Sequence, residues 1–190
     1  MPTSGEYSLD YVGGSALRYA DWSDSDVDAA CTRWASQKMT IRWVRGNRMH
    51  TVDGLFEEFA AALQFPWYFG WNWGAFDECL SDLGWIDFSS FVIILRNAEQ
   101  VLLDDCLDLP AFLRGVLDAY EVFAHPIDKG EWWDRPAKPF HFVLQISKEA
   151  SHRWDLALDK VRTDFRGLSL SKEGQSVVWL DGCKREGETS

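Results

Sequence analysis

The sequence predicts an α/β fold, a small parallel sheet packed with helices. Two observations predict it. Residues 40–44 (TIRWV), 91–95 (FVIIL) and 140–146 (FHFVLQI) are short β-branched and aromatic runs, the composition that strands favour. Helix-period segments lie between them, so the order from residue 40 is strand, helix, helix, strand, helix, helix, strand. Antiparallel neighbours need only a tight turn, whereas parallel neighbours need a crossover long enough for a helix.

Each element follows from local signals. Residues 1–23 are rich in Ser, Gly, Asp and Tyr and show few periodic cues. Asp24 or Ser25 caps a helix carrying Val27, Ala30, Cys31 and Trp34 on one face. The strand at 40–44 ends at Gly46-Asn47, a turn signal. Thr51 caps the next helix, whose face is Leu55, Phe56, Phe59, Ala62 and Leu63, and Pro66 follows its end. Asn72 caps the helix after a turn at Gly70. There Trp73, Phe76, Leu80 and Leu83 form the apolar stripe. Gly74, Asp77, Glu78 and Ser81 fall at i, i+3, i+4 and i+7 and share the opposite, outward side.

The run at 91–95 is apolar throughout, as in a strand covered on both faces. A short helix is expected at 98–103. Asp108 caps the next one, with Pro110 in its first turn and Leu109, Phe112, Leu113, Val116, Leu117 and Tyr120 in its stripe. A polar loop with Gly130, Trp132, Trp133 and Pro136 leads into the strand at 140–146. Beyond it come a helix with Trp154, Leu158, Val161 and Phe165 in register, a stop near Gly167, a strand at 176–180 (SVVWL) and a frayed end at 186–190.

Composition excludes several classes. Hydrophobic residues make up 46% and aromatics 15%, with 11 Trp, enough to build a core. No apolar run approaches the ~20 residues that cross a bilayer. The first residues lack the basic-then-apolar order of a signal peptide, so the expected location is cytoplasmic. Cys31, Cys79, Cys106 and Cys183 are scattered without a CxxC pair, so no metal site, cofactor or disulfide framework is expected. His50, His125 and His152 lack ligand spacing, and His141 reads as a structural strand residue. Gly-x-Ser-x-Gly, HExxH and phosphate-binding glycine loops are all missing, so no catalytic residue is assigned.

Charge says more. The net charge is −11, and no Lys or Arg occurs between Arg48 and Arg96. That stretch holds Asp53, Glu57, Glu58, Asp77, Glu78, Asp82 and Asp87. It repels nucleic acid and attracts basic surfaces, so neither a nucleic acid nor a membrane partner is expected. Solubility alone is the plain reading of acidic charge. A base-free block this rich in Trp and Phe counts against that reading.

The centre of this block is FPWYFGWNWGAFDECLSDLGW, residues 65–85. Phe65-Pro66, Tyr68-Phe69-Gly70, Asn72, Ala75 and Glu78-Cys79-Leu80, with the order of elements from about 40 to 146, resemble the barstar family of intracellular ribonuclease inhibitors. The resemblance implies a barstar-like domain over 39–147, with a three-stranded parallel sheet packed against helices. An N-terminal extension, 1–38, and a C-terminal extension, 148–190, flank it. It also implies that the aromatic loop and the following acidic helix plug a nuclease active site. Glu78 stands at the family's chief carboxylate, usually Asp, and Tyr68 at its contact tyrosine. Gly74 stands where the family has an acid, and Asp77 at a position that can be aromatic. Asp118 aligns with a second family acid through Val116-Leu117 and Ala119. These departures leave the inhibitor class intact and the cognate nuclease open.

The expected partner is therefore a cognate basic ribonuclease or nuclease toxin. The expected contacts are Tyr68, Trp71, Gly74, Asp77, Glu78, Ser81 and Asp118. A carboxylate on a rigid helix can occupy a phosphate position among active-site cations. Trp67 and Trp71 flank the motif either as interface anchors or as rim residues of the core. Cys79 is expected as a buried small hydrophobe, and Trp132-Trp133 as a packed loop. The competing function is a non-inhibitory protein-binding module of the same fold.

Overall fold

β-branched and aromatic residues build the strands, and helices with one apolar face close over them. The computed structural model describes Leu9, residues 16–164 and the strand Val177–Leu180. The expectations at Phe165, Gly167, Cys183 and 186–190 lie outside the described residues. The elements are β1 (Leu17–Ala20), α1 (Asp24–Ser36), β2 (Thr40–Arg45), α2 (Val52–Leu63), α3 (Trp73–Asp82), β3 (Phe91–Arg96), α4 (Leu109–Ala124), β4 (Phe140–Gln145), α5 (His152–Asp164) and β5 (Val177–Leu180). Among the described residues no helix is long and apolar enough to cross a membrane.

The strands form one parallel sheet in the order β2-β3-β4-β1-β5. The expected three-stranded parallel sheet is present as β2-β3-β4, and it is wider than expected. β5 adds the strand foreseen near 176–180. β1 arises from the stretch that showed few periodic cues and inserts between β4 and β5, with Leu17 opposite Phe142 and Val177.

Side-chain alternation sorts the core into two layers. Phe91, Ile93 and Leu95 of β3, with Phe140, Phe142 and Leu144 of β4, face the cluster formed with α2, α3, α4 and α5. Val92, Ile94 and Val143 face the opposite cluster under Val27, Ala30 and Trp34 of α1. Both faces of β3 are thus dry, which explains its unbroken apolar run. Phe59 stacks near Phe76, Phe112 and Phe142 at centroid separations of 5.2, 5.5 and 6.1 Å, linking three helices' worth of rings to the sheet. Burying each such ring contributes roughly 1.5–3 kcal/mol.

The second face also holds charge. Arg18 and His141 are both buried, with Arg18 Nη1 2.8 Å from His141 Nδ1. Arginine only donates, so Nδ1 accepts and Nε2–H donates to the Leu9 carbonyl at 2.9 Å. Burial, reinforced by the Arg18 charge, pushes the His141 pKa down to about 3, so the ring stays neutral. His141 is structural: it ties residue 9 to β4.

Local signals set the helix starts, and four of them act differently from the expectation. Ser23, not Asp24 or Ser25, caps α1, in a reciprocal box with Asp26. Thr51 and Asn72 cap α2 and α3 through Gly54 N–H and Ala75 N–H. The helix expected at 98–103 is only a single 3-10 turn at Ala98–Gln100. Asp108 precedes α4 without capping it, because its Oδ1 accepts instead from Trp73 Nε1 at 3.2 Å. The loop at 127–138 is ordered by Asp134, whose carboxylate accepts from the N–H groups of Lys129, Gly130 and Glu131. Its aromatics are not packed in: Trp132 is 90% exposed.

Candidate partner-binding site

α2 ends with Gln64 in the left-handed region at φ 54°. The chain then runs back alongside α2 through residues 65–72. Phe69 anchors this return, buried against Phe65, Phe56 and Trp71 at 5.0, 5.8 and 5.1 Å. Its N–H donates to the Pro66 carbonyl at 2.9 Å and closes a tight turn. That turn throws the flanking rings outward: Trp67 is 95%, Tyr68 59% and Trp71 57% exposed. Trp67 therefore stands clear of the core, whereas Trp71 leans on Phe69 at its rim. Trp71 also adopts φ 51°, a left-handed conformation that bulky residues rarely hold and that costs about 1–3 kcal/mol.

Asn72 converts this loop into a helix start. Its Nδ2 donates to the Gly70 carbonyl at 2.9 Å and its Oδ1 accepts from Ala75 N–H at 3.0 Å. A Cβ on Gly70 would stand 2.9 Å from Asn72 Nδ2, so the cap requires glycine there. α3 then packs Phe76, Cys79 and Leu80 inward, with Leu83 just past its end. Cys79 is a buried thiol whose pKa burial pushes up, not a nucleophile. Trp73 is half-buried against Phe56 and Phe76.

The face opposite this stripe carries Gly74, Glu78 and Asp82, all exposed, and Ser81, half-buried at its margin. Asp77 departs from the expectation. Successive helical residues lie about 100° apart, so Asp77 sits on the flank where α4 packs rather than beside Glu78. Its Oδ1 is buried, with no hydrogen-bond partner. It lies over Gly115, where a Cβ would come within 2.4 Å of it. Burial, then the nearby Asp118 carboxylate, raises the Asp77 pKa to about 6. Arg114 opposes them. Burial also raises Asp118, whose carboxylate lies 3.6 Å from the Arg114 guanidinium.

The structure thus sets Tyr68, Trp71, Gly74 and Glu78 on exposed backbone and brings Asp77 and Asp118 together in the α3–α4 seam. Sequence reasoning missed Arg114 and Gly115, which complete that seam. Glycine in the middle of an apolar helical stripe was the available signal, since it usually marks a close approach. The base-free block is also less free than it looked. Glu58 is buried and bidentate to Arg45, at 2.7 and 2.9 Å, and accepts the Arg45 backbone N–H at 3.0 Å. Asp53, Glu57, Asp82 and Asp87 remain exposed. Among the described residues no group of His, Cys, Asp and Glu could hold a metal ion.

A family model described as Barstar (barnase inhibitor) matches residues 39–164, more than half the chain. No curated protein sequence matches the chain. Similar solved structures include Drosophila ORC bound to AT-rich DNA and Cdc6, with a TM-score of 0.46. Drosophila ORC bound to DNA gives 0.47, and ORC bound to GC-rich DNA and Cdc6 gives 0.42. Each is 14% identical and covers 88% of this chain. The chain spans 48% of the matched chain in the first and third structures and 79% in the second. Likeness at this level carries no argument about function.

Proposed function

The chain belongs to the barstar family, and from that premise we propose that it inhibits a cognate basic ribonuclease by seating the 65–72 loop and α3 in the nuclease active site. One observation carries the reading. Glu78 is exposed on a helix whose start is locked by Asn72, directly after a loop that presents Tyr68 and Trp71 to solvent. A ribonuclease cleft is lined with cations that hold phosphate. A carboxylate on a rigid helix meets those cations with little loss of side-chain freedom. The aromatic rings exclude water round the contact, which strengthens each charge pair. The surrounding acids speed encounter with a basic partner, and added salt slows it.

Titrating a basic ribonuclease with the chain tests this. The expected result is loss of activity with an endpoint at one-to-one stoichiometry. It should weaken in Glu78→Ala protein that folds normally. Binding without inhibition would leave a protein-binding module of the same fold, and turnover of RNA by the chain alone would overturn the reading outright.

A further inference from the structure

We propose that Asp77 and Asp118 form a proton-linked receptor for one cationic side chain of the partner, a guanidinium above all, on the flank of the helix that carries Glu78. This rests on the inhibitor reading and adds the chemistry and the regulation of one contact.

The geometry of the seam makes the case. Asp77 lies against α4 only because position 115 is glycine. A Cβ there would stand 2.4 Å from Oδ1 and 3.3 Å from the Phe76 ring. The carboxylate so placed has a buried oxygen without a donor. Native proteins leave few such atoms without a reason. The charges facing it from α4 are Asp118 and Arg114. On α3 itself Glu78 points to solvent, and α2 turns Phe56 and Phe59 toward Phe76. Arg114 therefore serves two carboxylates, and its contact with Asp118 is long and half-exposed at 3.6 Å. Among the described residues, two carboxylates face one guanidinium in the seam. Gly74, three residues before Asp77 on the same side of α3, is exposed and adds no side chain beside the seam.

A partner guanidinium suits this imbalance, since its planar fork can donate to two carboxylate groups at once. Its arrival favours ionised Asp77, so docking expels the proton that burial and Asp118 keep on the carboxyl up to about pH 6. At pH 5 roughly nine free molecules in ten carry that proton, which lowers affinity about tenfold relative to pH 7.

The side-chain carboxyl of Asp77, followed by carbon NMR in the full chain with L-argininamide as probe, tests the receptor. In the free chain the midpoint is expected near pH 6. Argininamide is expected to lower it in wild type but not in Asp118→Asn, with sodium chloride at equal ionic strength as control. Gly115→Ala, which drives Asp77 out of the seam, gives a second check: its midpoint should fall to the ordinary carboxylate range and ignore the probe. An ordinary midpoint in wild type, or one that argininamide does not move, overturns the proposal. With an inhibited ribonuclease in hand, wild type is expected to lose about ten times more affinity than Asp77→Asn between pH 7 and pH 5. Equal losses also overturn it. Inhibition that persists without these effects leaves the inhibitor reading standing and removes the receptor. An Asp77 that responds to argininamide in a chain that inhibits no basic ribonuclease does the reverse.

Discussion

A Cβ added to Gly115 would stand 2.4 Å from Asp77 Oδ1. The glycine on α4 and the aspartate on α3 are thus a matched pair, one residue kept bare so that the other can lie in the seam. The arrangement has a cost that pH reveals. Asp77 holds its proton up to about 6 when folded, against 3.8 ordinarily. Between those values the folded chain binds the proton more tightly than the unfolded chain. Its contribution to stability is therefore complete below about pH 4 and is lost as pH rises through 6. Asp77→Asn is expected to be more stable than wild type by about 1 kcal/mol at pH 7, with no gain near pH 4. Urea denaturation at the two pH values measures the difference. A mutant less stable at pH 7 would contradict it.

His141 acts in the opposite sense. Its folded pKa is depressed from 6.5 to about 3, so the unfolded chain takes up a proton first as pH falls. The stability associated with the neutral ring is complete above about pH 7 and drains away as pH drops toward 3. His141→Gln should flatten the acid side of the stability profile even if it lowers stability at pH 7. An unchanged acid slope would show that another group dominates.

Glu58→Ala removes the bidentate partner of Arg45 and the acceptor of its backbone N–H. The expected loss is about 1–3 kcal/mol in folding, from a stranded donor and a broken charge-assisted pair. Inhibition should survive, since the carboxylate is already occupied. Chemical denaturation and a nuclease titration on the same protein separate the two effects.

Glu78→Ala should do the reverse. An exposed residue away from caps and core usually changes stability by no more than about 0.5 kcal/mol. Losing a charge contact at a desolvated interface typically costs about 2–5 kcal/mol. That range draws on barstar's own complex, so it is a family expectation rather than an independent forecast. Affinity and unfolding midpoints measured side by side check the contrast. Equal affinity in the mutant would remove Glu78 from the interface.

Within the loop, Phe69 and Trp67 should separate cleanly. Phe69→Ala empties a buried site between Phe56 and Phe65 and is expected to cost about 3–5 kcal/mol of stability. Trp67→Ala should leave folding unchanged to within about 0.5 kcal/mol, and any effect should appear in the dissociation rate of the complex. Calorimetric unfolding and stopped-flow competition are the respective measurements.

Much of the fold was legible because its signals are local. β2, β3 and β4 announce themselves through β-branched runs, and α2 and α3 through Thr51 and Asn72, whose caps act within three residues. β1 was not legible. Its four residues, LRYA, place an arginine in mid-strand, and His141, far along the chain, receives that arginine at 2.8 Å. The site divides in the same way. Periodicity placed Glu78 on the open side of α3, because burial of Phe76 and Leu80 settles that direction. It could not place Asp77, since angle round one helix does not say which neighbour packs on its flank. Gly115 held that information.

β1 comes first among the described strands yet lies fourth across the sheet, bonded to β4 on one side and β5 on the other. A ribosome delivers Leu17 long before Phe142 or Val177, so the growing chain has nothing to pair it with. β2, α2, α3 and β3 are close neighbours in sequence and can assemble first at low entropic cost. Until β1 slides into its slot, the rim of β4 stands open to any passing strand, a window in which nascent chains are prone to clump. Pulse-labelled hydrogen exchange during refolding should find the β1 and β5 amides protected after those of β2, β3 and β4, and any device that holds β1 away from the sheet should raise the yield of insoluble protein.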